Sequence, residues 1–110
     1  MPIVYKVLGQ ANPTSTANVD LITVSAGQNE VISTLNIANN TATAASAQVW
    51  VRIAGAAAGA ANIVIPTVSI AANSALSITC GYTIAATDVV TVQSSVANAL
   101  TFTAFGSEIS

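Results

Sequence analysis

Lys6, Arg52, Asp20, Glu30, Asp88 and Glu108 are the charged side chains of this sequence, and it contains no histidine. Hydrolysis by a serine or cysteine triad needs a base that takes and returns a proton near neutral pH, normally histidine. That class is closed here. Glycosidase chemistry needs two carboxyl groups held about 5 to 10 Å apart in a cleft, and the contexts of the four acids argue against such a pair. Asp20 alternates with Val19 and Leu21, and together with Glu30 and Arg52 it is read on an outward strand position. Glu30 and Asp88 sit where turns enter strands, and Glu108 lies near the C-terminal end. Asp88, in Ala86-Thr87-Asp88-Val89, suits hydrogen bonds to turn amides through its own carboxylate. Calcium coordination is the alternative, and it would need further oxygens from neighbouring acids that the sequence lacks. No glycine-rich phosphate loop occurs.

Cys80 is the sole cysteine, which excludes an intrachain disulfide and a thiolate zinc site. It shares the parity of Leu76 and Ile78 and reads as a small buried apolar side chain rather than a thiol activated by a cationic neighbour. No catalytic residue, metal ligand or cofactor is expected. Trp50 is the large side chain that alternation places outward, between Gln48 and Arg52 and opposite in phase to Val49 and Val51. Interfaces are enriched in Trp and Arg, so Trp50 and Arg52 are candidate subunit contacts. Cover by a second sheet or a loop is the competing reading for Trp50. Phe105, out of phase with Phe102, poses the same choice.

The elements that would position these residues are strands. Ala47, Val49, Val51 and Ile53 alternate with Gln48, Trp50 and Arg52; Val31, Leu35 and Ile37 with Glu30, Thr34 and Asn36; Leu76, Ile78 and Cys80 with Ser77 and Thr79. Val90, Val92 and Val96 oppose Thr91, Gln93 and Ser95, while Leu100, Phe102 and Ala104 oppose Thr101, Thr103 and Phe105. Period-two alternation marks strands with one face on a core. Adding Val19 to Val24 and Ile63 to Ile70 gives about eight, and short strands between regular turns imply an all-β fold, an antiparallel β-sandwich of jelly-roll or immunoglobulin-like type. Pro66 marks an edge or bent strand. Ala54 to Ala61 has helical composition, but Gly55 and Gly59 weaken it, so it reads as a connection with at most one helical turn. Asn39-Asn40-Thr41 reads as a turn.

The first eighteen residues stand apart from the sandwich domain expected over 19–110. Ile3 to Leu8 can form a strand, followed by a linker from Gly9 to Asn18 rich in Pro, Ser, Thr and Asn. Such a strand could add to a neighbour's sheet edge, which makes Ile3, Tyr5 and Val7 candidate subunit contacts, or it could pair within its own sheet. Deleting residues 1–10 is expected to weaken attachment and leave the fold intact.

Charged residues make up 5% of the chain and apolar residues 53%, against roughly 25% charged in an average soluble domain. No Lys/Arg patch exists to neutralise phosphates, so direct nucleic-acid binding is not expected. No uninterrupted apolar stretch approaches the ~18 residues of a membrane span, and the first residues lack the features of a signal peptide. A soluble protein made in a cytoplasm is expected. Exposed sheet edges usually carry Lys, Glu or Pro against unwanted pairing. Their scarcity here implies that a partner occupies the edges.

Tyr5-Lys6-Val7-Leu8-Gly9-Gln10, Val19-Asp20-Leu21-Ile22-Thr23-Val24 with Ala26-Gly27, Ile32 to Ile37 running into Asn39-Asn40, and Phe105-Gly106-Ser107-Glu108-Ile109 together resemble small virion structural proteins of tailed bacteriophages, including phages of cyanobacteria. The resemblance implies a β-sandwich subunit on the particle surface, commonly a homotrimer, such as a decoration or cement protein that contacts the major capsid protein and stabilises the head. The absence of a long coiled coil or repetitive shaft counts against a complete tail fibre. The alternative function is a tail, baseplate or fibre-associated domain that binds host-surface glycan, for which Trp50 with Gln48 and Arg52 is the candidate cluster.

Overall fold

The computed structural model describes residues 3–110. Eight strands follow in order: β1 (Ile3–Ala11), β2 (Val19–Thr23), β3 (Asn29–Asn39), β4 (Ala45–Arg52), β5 (Ile63–Ile70), β6 (Ser74–Ala85), β7 (Val89–Ser94) and β8 (Leu100–Ile109). They form two four-stranded sheets, sheet A in the order β1-β8-β3-β6 and sheet B in the order β2-β7-β4-β5, with every neighbouring pair antiparallel. Among consecutive strands only β4 and β5 are hydrogen-bonded neighbours; the other six connections all cross between the sheets. This order is that of the double-sheet jelly roll, and it decides between the two sandwich types open from the sequence.

The inner faces follow the alternation. Leu35, Ile37, Phe102 and Ala104 of sheet A and Ala47, Val49, Val90 and Val92 of sheet B belong to one buried cluster. Phe102 is the largest fully buried side chain, and alanines at 45, 47, 99 and 104 leave room for it between the layers. Leu76, Ile78, Cys80 and Tyr82 lie partly buried against the same core along β6, so Cys80 takes the inward position its parity indicates.

Four expectations change. Glu30, read as outward, is buried, and Val31, read as inward, lies on the outer row opposite Ser107. The β3 register shifts between Ile32 and Thr34 against both neighbours, so the bulge at Ser33 reverses the phase and puts Glu30 and Ile32 on the face of Leu35 and Ile37. Val96, read as an inward strand residue, is exposed, because β7 ends at Ser94. The Ser94 hydroxyl there donates to the Val96 carbonyl at 2.7 Å and closes a turn. Ile53, read on the inward row with Val49 and Val51, is exposed as well; β4 stops at Arg52, and Ile53–Gly55 form a 3-10 turn with Ala54 in the left-handed region.

Of the two placements open for the N-terminal strand, β1 takes the one in its own sheet, along β8 from Ile3↔Ile109 to Ala11↔Phe102. The segment after it is tied down as well. Asn12 Nδ2 donates to the Leu100 carbonyl at 2.8 Å, and the buried Pro13 accepts from the Asn98 amide at 2.9 Å. Asn39-Asn40-Thr41 is a turn: the Asn39 Oδ1 accepts from the Thr41 amide, and its Nδ2 donates to the Thr43 and Ile70 carbonyls.

Candidate interaction surface

Strand alternation along β1 puts Ile3, Tyr5 and Val7 on the outer face of sheet A, with Ile109, Ser107 and Phe105 as their β8 partners. Phe105 and Ser107 in turn pair with Thr34 and Val31 of β3. Tyr5, Val31, Ser33, Phe105 and Ser107 line a shallow open recess. Tyr5 is 84% exposed, Ile3 54% and Phe105 41%. An aromatic and aliphatic patch of this kind on one face is what interaction sites present. The phase of Phe105 against Phe102 was its signal in the sequence.

The rest of that outer face is polar and self-satisfied. Gln10 Nε2 donates to Thr103 Oγ1 at 3.1 Å, and Ser77 Oγ donates to Asn36 Oδ1 at 2.7 Å, each across a strand pair. Sheet A contains three charged residues, Lys6, Glu30 and Glu108, and the register puts all three on its inner side. The outer rows of this sheet therefore carry no charged residue among the described ones, and Lys6 borders the recess from the inner row of β1.

Sheet B differs. Gln48, Trp50 and Arg52 lie on its outer face opposite Gln93, Thr91 and Val89. Arg52 Nη1 donates to Asp20 Oδ1 and to Thr91 Oγ1, both at 3.1 Å, while its Nε and Nη2 donate to the carbonyls of Ala56 and Gly55. The Thr91 hydroxyl completes the triangle by donating to Asp20 Oδ1 at 3.0 Å. Arg52 thus braces β2, β7 and the 53–62 connection. Trp50, in the row between Thr91 and Ile63, is 8% exposed. The structure corrects its reading as an exposed contact in favour of cover from its own chain, and Arg52 spends its donors internally. Of the six candidate contacts, Ile3, Tyr5, Val7 and Phe105 come together on one face, whereas Trp50 and Arg52 sit on the other sheet.

Asp88 does what its sequence context suggests. Its two carboxylate oxygens accept from the amides of Ala85 at 2.9 Å and Ala54 at 3.0 Å, which joins the β6–β7 turn to the connection after β4. Cys80 Sγ donates to the Ile32 carbonyl at 3.4 Å. No three His, Cys, Asp or Glu side chains converge as a metal-binding set among the described residues, and no helix among them is long and apolar enough to cross a membrane.

One ionic cluster lies beneath the patch. Lys6 Nζ is 3.2 Å from Glu108 Oε2, and Glu108 stands directly opposite Glu30. Burial, and then the charge of Glu108, push the Glu30 carboxyl above its ordinary value, with Lys6 acting in the opposite sense.

No family model matches the sequence. No curated protein matches it. Among solved structures, a chain from the structure of the infectious bursal disease virus Gx strain is similar, with a TM-score of 0.52 and 9% sequence identity over 97% of this chain. The match covers 31% of that chain. At this identity the likeness is one of fold.

Proposed function

We propose that this protein is a non-enzymatic structural component of a virion, a decoration or cement protein on the head of a tailed phage. It would act through contacts with the major capsid protein and with copies of itself. The observation that carries the reading is the uncharged outer face of sheet A, with Ile3, Tyr5, Val7 and Phe105 exposed at one end. A jelly roll is a common coat-building fold, and the similarity to a chain from a virus structure supports the same class of role. Phage and head, rather than virion in general, rest on the sequence motifs.

The glycan-binding alternative loses support, because Trp50 is covered and Arg52 is engaged internally. Gold-labelled antibody against the chain, applied to particles of the phage that encodes it, tests the proposal. Label on the heads is the expected result. Label confined to tails would restore the alternative, and particles free of label would end the virion reading.

A further inference from the structure

Glu30 is 5% exposed, and its Oε1 has no hydrogen-bond partner. The groups around it come from three strands and a turn. From β8 comes Glu108, directly opposite; from β1 comes Lys6, paired with Glu108. From β6 comes the buried, uncharged Ile84, with Tyr82 next along that face and its phenol pushed up by burial, hence neutral. Asp88 lies beyond the end of β6, and both of its oxygens already accept amides.

With both glutamates ionised, two carboxylates would share a single ammonium. Like charges directly opposite on a sheet are destabilising, and a buried charge without a partner is costly. One proton on Glu30 removes both problems. The neutral carboxyl has a hydroxyl to donate to Glu108, Glu108 keeps Lys6, and the cluster becomes neutral as a whole.

We infer that Glu30 and Glu108 form a proton-binding site in the folded chain, and that losing this proton loosens the end of sheet A where β1, β8 and β3 meet. The sign follows from linkage. A carboxyl held more strongly protonated in the folded state contributes stability that is full below its unfolded value and is lost as pH rises through the folded value. The site therefore works in the direction opposite to an ordinary salt-bridged acid. The same backbone segments carry Tyr5, Val31 and Phe105 on their other side, so the shape of the exposed patch is coupled to this proton. The inference stands independently of whether the patch meets a viral shell.

Amide hydrogen exchange on the full chain, corrected for intrinsic rates and followed from about pH 4.5 to about pH 8, reads the opening directly. Protection over residues 3–7, 29–32 and 106–109 should fall relative to β4 and β7 as pH rises. Glu30→Gln, which keeps the shape without the charge, should flatten that response. Constant protection in the wild type, or a Glu30→Gln variant with the wild-type fall, would overturn the inference. Should the variant not fold, carbon NMR titration of the wild-type Glu30 carboxyl decides: a midpoint above that of an exposed glutamate supports the site, and one at or below it refutes it.

Discussion

Trp50 and Asp88 are worth comparing because both were singled out for their chemistry and both serve the fold. Trp50 is buried on the outer side of β4 beside Thr91, whose hydroxyl is held between Arg52 and Asp20. Removing a buried Trp costs about 3–5 kcal/mol, so Trp50→Ala should lower the urea midpoint sharply, with any loss of binding following from unfolding. A full-stability Trp50→Ala protein that fails only in assembly would show that the ring is a contact after all. Asp88 satisfies two amides from different segments at the surface, and an intramolecular hydrogen bond of this kind contributes about 0.5–1.5 kcal/mol net. Asp88→Ala should accordingly destabilise by a similar amount in chemical denaturation, and Asp88→Asn by less, because one amide oxygen can still accept.

At the scale of elements, β1 is the strand whose role the structure redefines. It covers β8 over nearly its whole length, and its Gly9 lies so close to Leu21 of β2 that a Cβ there would collide with the Leu21 carbonyl oxygen. Deleting residues 1–10 would expose the edge of β8 and remove Leu8 from the core margin. The truncated chain should therefore show a lower melting temperature and a tendency to associate through the freed edge, contrary to the neutral effect on the fold that a tethered arm would give. Gly9→Ala should reproduce part of that loss in the full-length chain; an unchanged melting curve would mean that β1 can shift without cost. The strands β2 to β8 were legible from alternation and turn residues because each buries one face, whereas β1, which has no buried residue, was legible from its apolar content alone. The phase of β3 was not, because a bulge depends on its neighbours: Ser33 is displaced where β6 carries the Cys80-Gly81 irregularity, and Gly81, with positive φ inside a strand, is the visible half of that pair. Glu30 moved from surface to interior through that one extra residue. For Trp50 the alternation gave the right side of the sheet and left exposure and cover both open, since period-two reading says which side a residue occupies but not what lies over it.

At the scale of the whole molecule, the scarcity of charge proves to be an asymmetry between faces. Sheet B carries the Asp20–Arg52 pair on its outer side, whereas sheet A turns Lys6, Glu30 and Glu108 inward and leaves its outer side neutral. With strands of 9 to 12 residues and four strands abreast, standard strand rise and spacing give that face roughly 700 Å², close to the ~800 Å² per partner of a stable interface. A contact of this kind between copies is isologous when two such faces meet. A closed trimer needs a heterologous contact instead, which sheet A also offers because its two free edges, β1 and β6, are different strands. Sedimentation velocity in the micromolar range separates the cases by stoichiometry, and charge placement identifies the surface. Tyr5→Lys combined with Phe105→Lys should shift the wild-type assembly to monomer without a comparable fall in melting temperature, since both positions are exposed and such substitutions usually stay within about 0.5 kcal/mol. Gln48→Lys, on the outer side of sheet B, should leave assembly unchanged. Dissociation by Gln48→Lys alone would transfer the contact to sheet B, and a wild type that remains monomeric throughout would mean that the neutral face awaits a different protein.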